Sequence, residues 1–151
     1  MAISLHLPMI LAKARDEERD FYEVLDYYLE MIRNLHKKTY EYLGNKKASV
    51  NPLGFCQGGF YGGYLKPEQK IKPLLKAMTF SFGVTALNEL QRLYNGKSIY
   101  EDGEFVLEVM KYINKKANEF KEKDKLLYAI YGKMLPYQNY PTRQEVSAIA
   151  G

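Results

Sequence analysis

The 151-residue sequence holds a single cysteine, two histidines and no tryptophan. One thiol cannot close an intrachain disulfide, so no covalent bridge is expected to brace the fold. Structural zinc wants four clustered ligands, and one cysteine with His6 and His36 far apart in the chain is a poor supply; no metal is expected. No apolar run approaches the roughly 18 residues that a membrane-spanning helix needs. The opening MAISLHLPMILAKARDEERD has too short an apolar run and no small-residue cleavage site for a secretory leader, so a cytoplasmic protein with no membrane partner is expected.

What is present describes an ordinary globular chain. Hydrophobic residues make up 46% and charged residues 26%, well away from disordered compositions. The length suits one domain. The net charge of +4 is unevenly spread: residues 1–43 carry −2, residues 44–80 carry +5, residues 81–132 are neutral and the remainder carries +1. The positive segment surrounds NPLGFCQGGFYGGYLKP (51–67), where four glycines occupy six positions beside the lone cysteine. A basic patch attracts phosphates or acidic partners, although plain solubility explains most such excesses.

Candidate binding residues therefore come from this segment: Lys46, Lys47, Cys56, Gly58, Gly59, Tyr61, Gly62, Gly63, Tyr64, Lys66, Lys70 and Lys72. Neither nucleotide-binding glycine fingerprint appears with its flanking strand and helix, so the glycines are read first as positions of positive φ or close packing. Cys56 lacks a recognisable activating histidine and is expected to be a buried apolar thiol. No catalytic residue and no cofactor are nominated. Most of the 14 tyrosines suit the rim of a core or an interface, with stacking on nucleic-acid bases as the sharper alternative.

Residue patterning outlines the elements. AISLHL (2–7) alternates and stops at Pro8, as a short strand would. From Asp16 to Leu43, apolar residues at Phe21, Leu25, Tyr28, Ile32, Leu35 and Tyr42 line one helical face, with acids at its start and Gly44 as a left-handed cap. Pro67 or Pro73 should open a short helix. TFSFGVT (79–85) reads as a strand, and ALNELQRLYNG as a helix closed by Gly96. Ser98 and Glu101 have capping-box spacing ahead of Val106, Val109, Ile113 and Phe120, and KLLYAIYG (125–132) reads as a third, mostly buried strand. The expectation is a helix-dominated α/β fold with about three short strands and four helices, the strands parallel because long crossovers separate them.

The pieces AISLHLPMILAKA, FYEVLDYYLEMI, NPLGFCQGG, YLKPEQKIKPLLKA, SFGVTALNELQRLYNGKS and LLYAIYG, in this order, resemble an internal stretch of the anaerobic, class III ribonucleoside-triphosphate reductases over residues 2–132. The resemblance implies a partial arc of a glycyl-radical-type α/β barrel. It also implies that the radical-bearing glycine, the essential finger-loop cysteine and the zinc module lie outside these residues, and no essential thiol of the family is carried onto Cys56. After LLYAIYG the stretch KMLPYQNYPTRQEVSAIAG departs from the family, so the expected organisation is a reductase-like domain at 1–132 and a non-family tail at 133–151. Two unrelated ends around a faithful middle point to a gene piece expressed as its own protein. Three functions follow: a non-catalytic fragment that acts by protein docking or self-association, a repurposed phage or mobile-element inhibitor whose basic segment engages a nucleic-acid-handling enzyme, or part of an active anaerobic reductase.

Overall fold

The computed structural model describes residues 1–60 and 62–132; Tyr61 and the expected 133–151 tail lie outside the described residues. Three strands, β1 (Ala2–His6), β2 (Thr79–Thr85) and β3 (Leu127–Gly132), pair in the order β1-β2-β3, both pairs parallel. The first crossover holds α1 (Leu7–Asp16), α2 (Phe21–Gly44), the one-turn α3 (Pro52–Phe55) and two 3-10 turns at Ala48–Val50 and Lys72–Ala77. The second holds α4 (Leu87–Asn95) and α5 (Glu104–Asp124). The helix-dominated α/β class expected from the sequence is observed. The sheet is open among the described residues, and its pairing does not close a barrel.

Several local expectations need correction. The described residues contain five α-helices rather than four: the helix expected at Pro67 or Pro73 is the 3-10 turn Lys72–Ala77, α3 was not expected, and α1 starts directly after β1. Pro8 stands in its first turn, where a missing N–H removes no helical bond, so the proline begins a helix instead of merely ending a strand. The helix expected from Asp16 begins at Phe21: Glu18 turns the chain at φ 53°, and Asp20 then accepts the Glu23 N–H at 3.1 Å as N-cap. Gly44 is not a left-handed cap, since Asn45 ends the helix at φ −84°. Its lack of a side chain serves packing instead, because a Cβ there would stand 2.9 Å from Lys72 Cγ. The Glu101 carboxylate does accept the Ser98 N–H at 2.7 Å, yet this closes a turn, and α5 begins three residues later at Glu104. In β3 only Tyr128 is buried, so the strand is not mostly buried.

The core follows from the period-two alternation of the strands. Leu5, Phe80, Phe82, Val84 and Tyr128 point to one face and meet Leu25, Leu29 and Ile32 of α2 and Val109, Ile113 and Phe120 of α5. Phe80 and Phe82 are fully buried, and burying each such side chain contributes about 2–3 kcal/mol. α5 lies against β3 and α2 reaches β2. A smaller core forms at the C-terminal end of α2, where Ala48, Ile71 and Leu75 gather Phe55, Phe60 and Leu65.

Candidate binding surface

The glycine loop is built by its own hydrogen bonds. The Gly58 N–H donates to the Gly63 carbonyl at 2.8 Å, Gly59 to Leu53 at 3.3 Å, Phe60 to Gly54 at 2.7 Å and Gly63 to Phe60 at 3.0 Å. A phosphate cradle needs such donors free and convergent, and these are consumed. Gly58 and Gly62 take φ of 82° and 69°, which glycine adopts without strain. Gly63 is buried against the Leu74 side chain. Tyr64 is 77% exposed and crosses over Gly58, while Gly59 remains exposed. Cys56 is half-buried beside Phe55 and Phe60 in the smaller core rather than fully enclosed. His36 belongs to the main core and His6 is exposed on β1, so neither is placed to activate the thiol.

The lysines cluster, but several already have partners. Lys72 pairs with Glu41 at 2.7 Å, which raises the lysine above its ordinary pKa. Lys46 stands 4.3 Å from the centre of the Tyr42 ring and holds that phenol below its usual value. Lys70 donates to Asn45 Oδ1 at 2.8 Å, and its backbone bridges that of Lys47. Lys47 and Lys66 are exposed and make no ion pair among the described residues. The chain thus brings Lys46, Lys47, Lys70 and Lys72 together at the end of α2, with Lys66 on a turn closed by Gln69. Among the described residues no group of three or more His, Cys, Asp or Glu could hold a metal. Among them, too, no helix is long and apolar enough to cross a membrane.

Sequence reasoning missed the polar clamps between helices. Arg33 grips Asp124 through two bonds of 2.8 and 2.7 Å, and the Tyr128 hydroxyl donates to the same carboxylate at 2.8 Å. The guanidinium holds Asp124 below the usual carboxylate range, while burial and then Asp124 itself push the Tyr128 phenol up. Tyr22 donates to Glu108 at 2.7 Å and Tyr112 to Asp26 at 2.6 Å. These contacts fasten α2 to α5 side by side. Fully buried His36 places Nε2 3.1 Å from the Ser81 carbonyl between the rings of Phe80 and Phe82, and burial lowers its pKa. Gln91, also fully buried, accepts the Val106 N–H at 3.2 Å in the first turn of α5. Pairings as distant as Arg33 with Asp124 leave no local spacing signal.

The other face of the sheet is different in kind. The register sets Ala2 beside Ser81 and Ala129, and Ser4 beside Gly83 and Tyr131, rows of mostly small side chains. Ala2, Ser4, His6, Thr79, Leu127 and Tyr131 are exposed there. Gly83 is needed because Ser4 approaches so closely that a Cβ would stand 3.0 Å from Ser4 Cα and closer still to its hydroxyl. All-parallel sheets are normally covered on both faces. Here the helices' buried side chains gather on one face, and β1 and β3 are both edge strands among the described residues.

Comparison with known proteins gives the family. The family model described as anaerobic ribonucleoside-triphosphate reductase matches residues 1–133. An anaerobic ribonucleoside-triphosphate reductase of Haemophilus influenzae is 31% identical over 103 residues, covering 66% of this chain and 14% of that protein. The chain therefore spans about one seventh of the length of that curated relative. The chain belongs to the anaerobic ribonucleoside-triphosphate reductase family.

Proposed function

We propose that this chain is a non-catalytic piece of a reductase-type barrel wall, residues 1–132 forming its reductase-like domain, and that it acts by docking onto another protein. The observation that supports this reading is the one-sided parallel sheet, with helices on one face, mostly small residues on the other and, among the described residues, two edge strands. In a barrel, such strands are paired on both sides and their inner face looks across a closed interior. Radical transfer needs its two reacting atoms held close in a water-excluding interior, and one arc of wall offers no such enclosure.

The test is sedimentation of the purified chain alone and mixed with the purified Haemophilus influenzae reductase. Docking predicts a complex with the reductase or with itself. A chain that stays a monomer in both samples overturns the reading. Turnover of ribonucleoside triphosphate by the chain alone, assayed anaerobically with an activating enzyme, would replace it with a catalytic role. Should binding instead disappear when Lys46, Lys47, Lys66 and Lys70 are reversed in charge, the basic segment would be the contact and the open sheet would not.

A further inference from the structure

Charge is sorted between the two ends of the molecule. The segments that follow the carboxyl ends of β1 and β2, residues 13–26 and 87–108, carry eleven carboxylates against five bases. Arg15, bonded to the Leu93 and Tyr94 carbonyls, and Tyr22, bonded to Glu108, hold these segments together. The opposite end, residues 34–80 from the last turns of α2 to the start of β2, carries eight lysines against two glutamates. Helix polarity explains only part of this excess, since a macrodipole acts within the last turn of a helix and Lys66, Lys70, Lys72 and Lys76 lie in no α-helix. Glu41 is taken by Lys72, while Lys38, Lys46, Lys47, Lys66, Lys70 and Lys76 make no ion pair among the described residues. Lys47 and Lys70 even face each other across an antiparallel bridge, a placement in which like charges repel. Residues 133–151 add one further positive charge, so they cannot neutralise the excess.

We infer that this basic end binds single-stranded nucleic acid, with its lysines on the phosphates and its exposed tyrosines on the bases; the inference is independent of the docking reading. A lone phosphate needs convergent donors, and those of the glycine loop are consumed by its own carbonyls. The unpaired ammonium groups are instead spread over the end of α2, the Lys47–Lys70 bridge and the turn closed by Gln69, which suits a string of phosphates rather than a single one. Tyr42 and Tyr64 stand in the same region, 64% and 77% exposed, with Lys46 over the Tyr42 ring at 4.3 Å. Exposed rings can stack on unpaired bases and not on those inside a duplex, and the aspartates and glutamates of an acidic protein offer these rings no flat partner. The acidic end repels the same polyanion, so the chain meets it in one orientation.

The experiment is fluorescence anisotropy of a labelled strand of about 15 deoxythymidines, titrated with the full chain at about 50 and 200 mM salt, with circular dichroism on every variant. With about four phosphates neutralised, affinity should fall about 50-fold between the two salt concentrations. Lys47→Glu with Lys70→Glu should weaken binding by more than about tenfold at the lower salt and flatten the salt dependence. Lys97→Glu with Lys111→Glu, which removes the same charge from exposed positions elsewhere, should change affinity by less than about threefold. Tyr42→Ala and Tyr64→Ala should each weaken binding at least about fivefold. If the Lys47 and Lys70 exchange fails to fold, Lys66→Glu with Lys76→Glu decides in its place. No binding at the lower salt, equal loss in the two charge exchanges, or tyrosine variants that bind like the wild type overturns the inference. So does a chain that ignores the strand but loses its complex with the reductase when Lys47 and Lys70 are exchanged, which makes the basic end a contact for acidic protein. Failure to bind the strand leaves the sedimentation test of docking unaffected.

Discussion

The two faces of one sheet, built from the same three strands, obey different rules. Toward the helices, Phe80, Phe82, Val84 and Tyr128 are buried among Leu25, Ile113 and Phe120. Away from them, alternate residues of the same strands are mostly serine, threonine, alanine and glycine, joined by His6, Leu127 and Tyr131, and Ser4, Thr79 and Tyr131 are exposed. Hydrophobic burial on the first face is enough to fix the strand register. Among the described residues, the second face therefore carries little of the folding energy.

The largest expected effect breaks the covered face. Phe82→Ala removes a ring that touches those of His36, Phe120 and Tyr128, and should cost about 3–5 kcal/mol in urea denaturation. Asp124→Asn comes next: the side chain is only 5% exposed and paired with Arg33, so losing its charge should cost about 3 kcal/mol. Gly83→Ala tests the uncovered face where it is tightest, and crowding against Ser4 should cost roughly 1–3 kcal/mol. Ser4→Ala, on that same face without crowding, should shift stability by less than about 0.5 kcal/mol.

Acid should weaken the covered face first. Burial depresses the pKa of His36, so the unfolded chain binds this proton more readily than the folded one. Stability is then intact above about 6.5, the unfolded value, and falls as pH drops from there toward the lower folded value. The urea midpoint should decline between pH 7 and pH 5, and His36→Gln should flatten that decline. A wild-type midpoint constant over this range would show that His36 is not held neutral by its surroundings.

The covered face was largely legible in the residues, and the uncovered one was not. TFSFGVT announced β2 because its apolar residues alternate, and Gly96 announced the end of α4 because its φ of 78° favours glycine. The α1–α2 break was hidden, since Asp16 to Glu18 look like the charged first turn of one long helix until Glu18 turns the chain. β3 was overread as buried because LLYAIYG has apolar residues on both faces, and only a partner element can decide which face is covered. The glycine loop drew attention by composition. Its donors close on its own carbonyls, which no glycine count can reveal.

Amide hydrogen exchange on the intact chain tests most directly whether the open side of the sheet is a docking surface, read strand by strand, dilute, concentrated and mixed with the Haemophilus influenzae reductase. The account predicts that an edge strand, β1 on self-association and β1 or β3 on binding the reductase, exchanges more slowly in an associating mixture than in dilute solution, while β2 is unchanged. Equal exchange at β1 and β3 under all three conditions would contradict it.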